Sequence, residues 1–241
     1  MSGHSKWATT KRQKAVVDAK KGAIFTKLGN LITIAAREKG GDPGVNFSLR
    51  IAIEKAKAAN MPKENIERAV KRGTGELSGA EIAEIYYEAI GPANSQFIVK
   101  SLTDNRNRSA SNIRHIFTKH GGSFGSVGWN FSKKGVIRVE AGVLSGLKAN
   151  LDELELELID LGIEEFLKED EGVMIYMAPE SLPKVKEFLE GKNIAAASAE
   201  IEFVPKDSLQ VSSEDREKLE KIIEELEDNE DVSDYYTNVE V

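Results

Sequence analysis

The chain has 241 residues, 40% hydrophobic and 30% charged, and contains no cysteine. That fits a globular protein of one large or two to three small domains, and it excludes disulfide scaffolds, thiolate zinc sites and cysteine nucleophiles. The formal charge of −7 conceals an asymmetry: residues 1–75 carry 16 Lys+Arg against 6 Asp+Glu, and the rest carry 17 against 34.

A basic head on an acidic body points to a polyanion partner for the head. The N-terminus is polar and basic without an apolar stretch, so it is no secretory signal. No apolar run approaches the ~20 residues of a membrane span. A cytoplasmic protein is the expectation.

Taken in chain order, residues 18–38 predict a helix, because Ile24, Leu28, Leu31 and Ala35 recur on one face. Gly40, Gly41 and Pro43 stop it. A second helix runs from Asn46 to Asn60. Pro62 then suits the first position of a third, which ends before Gly73. These helices make a basic bundle over residues 1–75. After Ala80 the pattern turns to strands at 82–89 and 96–102, a helix from Ser109 to Lys119 and a strand at 127–131.

Residues 133–205 read strand (135–140), helix (148–161), strand (164–168), strand (172–178), helix (180–190), strand (195–204). That order is the split β-α-β-β-α-β unit of ferredoxin-like folds. A helix at 213–228 and a strand at 232–239 remain. Alone they cannot bury an apolar face, and the unit before the insertion lacks a second helix. The expected fold is therefore α+β with three domains: the bundle, a discontinuous α+β domain of residues 76–132 and 206–241, and an inserted ferredoxin-like domain of residues 133–205.

Catalytic chemistry finds no support. The histidines are His4, His115 and His120. The last two stand five apart on one helix and cannot share a metal as an i,i+4 pair does. No phosphate loop, nucleophile elbow or HExxH helix is present. No enzyme activity, cofactor or metal is expected.

The basic head carries the candidate contacts. Lys6, Lys11, Arg12, Lys14, Lys20, Lys21 and Lys27 crowd one segment, with Trp7 among them. Trp7 either stacks on an exposed base or anchors the segment on the bundle. Arg50, Lys55, Lys57, Lys63, Arg68, Lys71 and Arg72 form a second set along the next two helices. Such cations neutralise phosphates and release counterions. A third candidate is the stretch 103–109, read as an exposed loop entering a helix N-terminus, with Asn105, Arg106, Asn107 and Arg108 as contacts. The plainer reading of that stretch is a turn rich in Asx caps.

GlyHisSerLysTrp at 3–7, AspAlaLysLysGly at 18–22, IlePheThrLysLeu at 24–28, the run Lys55–Ala69, LeuThrAspAsnArgAsnArg at 102–108 and TyrThrAsn at 236–238 resemble the YebC/PmpR family. That family includes the mitochondrial translational activator of cytochrome oxidase. The resemblance spans the chain and implies a helical N-terminal domain and two α+β domains, the last inserted in the middle one. The stretch 123–131 is shorter than in many bacterial members. The resemblance implies a DNA-binding transcriptional regulator. The alternative is a ribosome-associated factor that binds ribosomal RNA and eases synthesis of proline-rich stretches. A third reading is a protein-interaction scaffold whose basic head meets an acidic partner. The expected partners are DNA or ribosomal RNA and no membrane, and the expected state is a monomer.

Overall fold

The computed structural model describes residues 21–146 and 150–240. The described residues up to Asn130, with those from Pro205 onward, form one compact unit, and Phe131–Val204 form a second.

The first unit begins with α1 (Lys21–Lys39), α2 (Phe47–Ala58) and α3 (Lys63–Gly73). Ile32, Ala35, Ala36, Leu49, Ala52, Ala56, Ile66 and Ala69 make their common core. Asn46 joins two of the helices. Its side-chain oxygen accepts the Leu49 N–H at 3.0 Å, capping α2, and its amide donates to Ala35 O and Gly40 O at 2.8 and 2.7 Å. Asn60 ends α2 in the left-handed region, φ 57°, while Met61 N–H returns to Ala56 O and Asn60 N–H to Lys57 O. Those two bonds satisfy the last carbonyls of the helix. Pro62 is the N-cap of α3 rather than its first helical residue.

Strands β1 (Ala83–Ile90) and β2 (Gln96–Thr103) form a hairpin, followed by α4 (Arg106–Lys119) and the short β3 (Ser123–Phe124). After the second unit, α8 (Ser213–Asp228) and β8 (Val232–Thr237) complete an antiparallel sheet in the order β3-β1-β2-β8. Helices α4 and α8 cover one face through Ile113, Phe117, Ile222 and Leu226 against Phe97 and Val99. Phe117 meets Phe97 edge to face, ring centroids 5.2 Å apart. Helix α1 lies against the other face, where Leu31 and Ile34 pack on Ile82 and Leu102.

Two sequence expectations fail here. The strand expected at 127–131 is instead a 3-10 turn, Gly128–Asn130, and Phe131 opens the next strand. The N–H groups of Val127 and Gly128 donate to the Glu88 carboxylate at 2.5 and 2.7 Å, so they are not available to a strand neighbour. The helix expected from Ser109 starts three residues earlier, at Arg106. Asn105 caps it by accepting the Arg108 N–H at 3.0 Å.

The second unit contains β4 (Phe131–Glu140), a short α5 (Ala141–Gly146), α6 (Leu151–Asp160), β5 (Ile163–Glu169), β6 (Gly172–Met177), α7 (Leu182–Gly191) and β7 (Ser198–Pro205). Its sheet order is β5-β6-β4-β7, the ferredoxin-like arrangement. Helix α5 carries no clear sequence signal and was not expected. Gly172, at φ +148°, lies so close to β4 that a Cβ would fall 2.0 Å from Val139 O. Within the sheet, Arg138 and Glu202, both nearly fully buried, pair through two bonds of 2.6 and 3.0 Å. Burial opposes the charge on Arg138, but Glu202 outweighs it and raises the guanidinium pKa.

The first sheet has the same spatial order. Taking β2 as the leading strand, α4, β3, β1, α8 and β8 occupy the remaining ferredoxin-like positions, with β1 moved to the front of the chain. The described residues are α+β, with eight helices and two four-stranded antiparallel sheets.

Two predictions follow from packing and charge. A Cβ on Gly73 would lie 2.4 Å from Thr33 O and 2.7 Å from the Ala36 Cβ. Gly73→Ala should therefore destabilise the protein by about 1–3 kcal/mol through overpacking of α1 against α3, read as a lowered Tm. Glu225 on α8 accepts from Lys119 Nζ at 2.8 Å and bonds His120 Nε2 at 2.9 Å, which holds its carboxyl below the ordinary 4.5. A depressed carboxyl stabilises the fold above its unfolded value and loses that contribution as pH falls through the folded value. Tm should thus fall on acidification below about pH 4.5, and Glu225→Gln should flatten that part of the curve.

Candidate nucleic-acid interface

Lys6, Trp7, Lys11, Arg12, Lys14 and Lys20 lie outside the described residues, as does the side chain of Lys21. The other candidates separate into two groups.

Several are engaged within the fold. Lys27 was expected to face a phosphate, but its ammonium donates to Glu227 O at 2.6 Å, at the end of α8. It sits on the side of α1 that meets the sheet, where Asn30 donates to Leu102 O and Arg37 to Ile82 O. Arg50 is half-buried, with its guanidinium 5.4 Å from the Phe47 ring centroid. Lys55 is half-buried and also has a partner. Lys63 pairs with Glu67 across one helical turn at 3.5 Å.

Lys57, Arg68, Lys71 and Arg72 are different. All four are exposed, and none forms an ion pair among the described residues. Arg68, Lys71 and Arg72 occupy the i, i+3 and i+4 positions of α3, on the side turned away from its buried Ile66. Burying that apolar stripe against α1 leaves the guanidinium-bearing side of α3 to solvent. Arg68 and Arg72 also rim a cleft of about 270 Å³ between α1 and α3.

The stretch 103–109 is not a loop. Arg106, Asn107 and Arg108 form the first turn of α4, and Asn105 is its cap. Arg108, expected to face a phosphate, is engaged within the fold through Nε and Nη2. Its guanidinium donates twice to Asp231, at 2.8 and 3.1 Å, and once to Asp104 at 2.9 Å. Those bonds raise its pKa further, Asp231 contributing most. Asp231 in turn accepts through its backbone from Leu102 N–H and the Ser101 hydroxyl, so the pair locks the turn before β8 to the start of α4. Arg106 and Asn107 remain exposed.

Beside them is a feature that the sequence pattern alone did not single out. Tyr87 donates to Arg106 O, its ring stacks on Phe124 at 5.6 Å, and Arg114 lies 5.0 Å over Phe124. Arg106 and Arg114 stand eight apart on α4, which is the one hint the sequence offered. Trp129, 64% exposed, is in the turn ahead of β4.

No group of three His, Asp or Glu side chains suited to a metal exists among the described residues. No described helix is long and apolar enough to cross a membrane.

Residues 5–76 match the model of the TACO1/YebC protein N-terminal domain, and residues 82–239 match that of the TACO1/YebC second and third domain. The chain belongs to the TACO1/YebC family. Among its relatives is a probable transcriptional regulatory protein of Thermoanaerobacter pseudethanolicus, 50% identical over all of this chain and 98% of that one. Another is a protein of the same description from Pseudothermotoga lettingae, 50% identical over all of this chain and 94% of that one. The crystal structure of the conserved hypothetical protein Aq1575 from Aquifex aeolicus superimposes with a TM-score of 0.82 at 41% identity, covering 94% of this chain and 93% of that one. In this member of the TACO1/YebC family, Lys57 of α2, Arg68, Lys71 and Arg72 of α3 and the Arg106 side of α4 are the exposed cationic positions left among the described candidates.

The two arginines of α4 should separate in experiment. Arg108→Ala leaves the nearly buried Asp231 without its bidentate partner and should cost about 1–2 kcal/mol, discounted because the arginine is half-exposed. Arg106→Ala should leave Tm unchanged. Thermal denaturation of the two single variants decides the matter.

Proposed function

We propose that the protein is a regulator of gene expression that works by binding nucleic acid and catalyses no reaction. The observation that carries this is the exposed cluster of Arg68, Lys71 and Arg72 on α3, set in a head of 16 basic and 6 acidic residues. The names of the relatives, probable transcriptional regulatory proteins, support the regulatory role.

DNA is the target those names favour. One feature of α3 favours RNA, including ribosomal RNA. A helix that reads duplex DNA in the helix-turn-helix manner presents its N-terminal residues to the base edges. The N-terminal half of α3 carries Glu64 and Glu67, with Lys63 paired to Glu67 at 3.5 Å, and the cations that form no ion pair among the described residues, Arg68, Lys71 and Arg72, are in the last two turns. Carboxylates at the leading end would be driven away from a major groove lined by phosphates. Cations along one side of the helix suit a backbone that is tracked instead of read.

The test uses the full chain. Affinity for single-stranded RNA, hairpin RNA and duplex DNA is measured against salt concentration. Log affinity should fall linearly with log salt, by about 0.7–0.9 per neutralised phosphate. Arg68→Ala, Lys71→Ala and Arg72→Ala combined should shallow the slope and leave Tm unaltered. Binding that is insensitive to both salt and the triple substitution would exclude this surface. Co-sedimentation with ribosomes, before and after nuclease, separates the ribosomal reading from the transcriptional one.

A further inference from the structure

The cleft between α1 and α3 has features that packing alone does not explain. On one wall are Phe25, Gly29 and Asn30 of α1; on the other are Asn65, Arg68 and Arg72 of α3. Glycine inside a helix costs about 1 kcal/mol relative to alanine. At Gly73 that cost has a packing reason, because a Cβ would collide with α1. Gly29 has none. A Cβ there would meet nothing closer than the Met61 Cε at 3.8 Å, an ordinary contact distance. Its effect is to keep the cleft open.

The polar groups at the cleft are only partly used. Asn30 donates its amide N–H to Leu102 O at 3.3 Å, while its carbonyl accepts nothing among the described residues. The half-buried Asn65 side chain makes no hydrogen bond there at all. Among the described residues the combination is a half-buried aromatic ring, two amides with unused hydrogen-bonding capacity and two guanidinium groups without an ion pair. Unstacked bases are held in this way, by stacking on rings or guanidinium planes and by hydrogen bonds to their edges. A volume of about 270 Å³ is at the small end for a ligand site and suits one base with part of its sugar.

We infer that the α1–α3 cleft receives one unstacked base of a single-stranded nucleic acid, with Asn30 and Asn65 at its hydrogen-bonding edge and Arg68 and Arg72 at its rim. Single strands and loops offer such a base without the cost of unpairing a duplex. The inference rests on the nucleic-acid reading above and gives it a specific pocket.

The test measures, by fluorescence anisotropy with the full-length protein, binding of a labelled ten-nucleotide single-stranded RNA. The same strand with abasic central positions and its deoxyribose counterpart are run beside it. Gly29→Leu fills the cleft, Asn65→Ala removes an edge contact, and Gly29→Ala, which narrows the cleft by one methyl, should bind between wild type and Gly29→Leu. Stacking of one base corresponds to roughly 5- to 150-fold in affinity. Gly29→Leu should weaken binding of the intact RNA by about tenfold or more, and abasic replacement should weaken the wild type similarly. Gly29→Leu and wild type should bind the abasic strand alike. An equal loss on the deoxyribose strand supports recognition of the base and not the sugar. If Gly29→Leu melts early, Asn65→Ala decides, with reduced affinity at unchanged Tm expected. Wild-type affinity in both variants, with no abasic effect, overturns the cleft while leaving phosphate binding intact. No binding of any strand by the wild type overturns the pocket and the nucleic-acid reading together.

Discussion

Helix α1 has two apolar faces, and the first unit is organised by the need to bury both. One face gives Ile32, Ala35 and Ala36 to the bundle. The other gives Leu31 and Ile34 to the sheet at Ile82 and Leu102. A helix that is hydrophobic on more than one stripe cannot sit at a surface. Burying it joins the bundle to the α+β layer. It also decides which cations reach solvent: Lys27 is turned inward to Glu227 O, whereas the outer side of α3 stays open.

The close approach of α1 to α3 has a second effect. The helices touch where Gly73 meets Thr33 and Ala36, and small residues continue along the line of contact at Ala69 and Gly29. Contact at one end and missing side-chain volume at the other produce a cleft without any rearrangement of the core. The same sequence feature, small residues on facing helical stripes, thus gives tight packing in one place and an opening in another.

Much of the fold could be read from residue pattern, because the apolar periods are regular and the glycines and prolines mark their ends. The β-α-β-β-α-β order of the insertion was legible for this reason. Features set by side-chain bonds over long sequence separation were not. Glu88 captures the N–H groups of Val127 and Gly128 and turns an apparent strand into a tight turn. Asp231 ties the exposed Arg108 into the fold, across 123 positions of sequence. Charge counting identified the basic head but could not tell Arg68 from Lys27, since the difference is which face of a helix is buried. The Tyr87–Phe124–Arg114 stack joins three separate elements, so no local spacing announces it.

At the junction between the two units, Asn130 acts as a clasp on the returning chain. Its backbone oxygen accepts from Lys206 N–H at 2.7 Å, and its side chain accepts from Asp207 N–H at 3.0 Å and donates to Asp207 O at 3.2 Å and Gln96 Oε1 at 2.7 Å. The entry and exit points of the insertion are therefore held together by groups that belong to the first unit alone. From the standpoint of that unit, Phe131–Val204 is a long loop with fastened ends. The entropy of closing a loop grows only with the logarithm of its length, about 0.6 kcal/mol per doubling. An excursion anchored in this way can lengthen, shorten or be exchanged for another folded segment over evolutionary time at little cost to its host. The clasp makes the second unit a modular passenger.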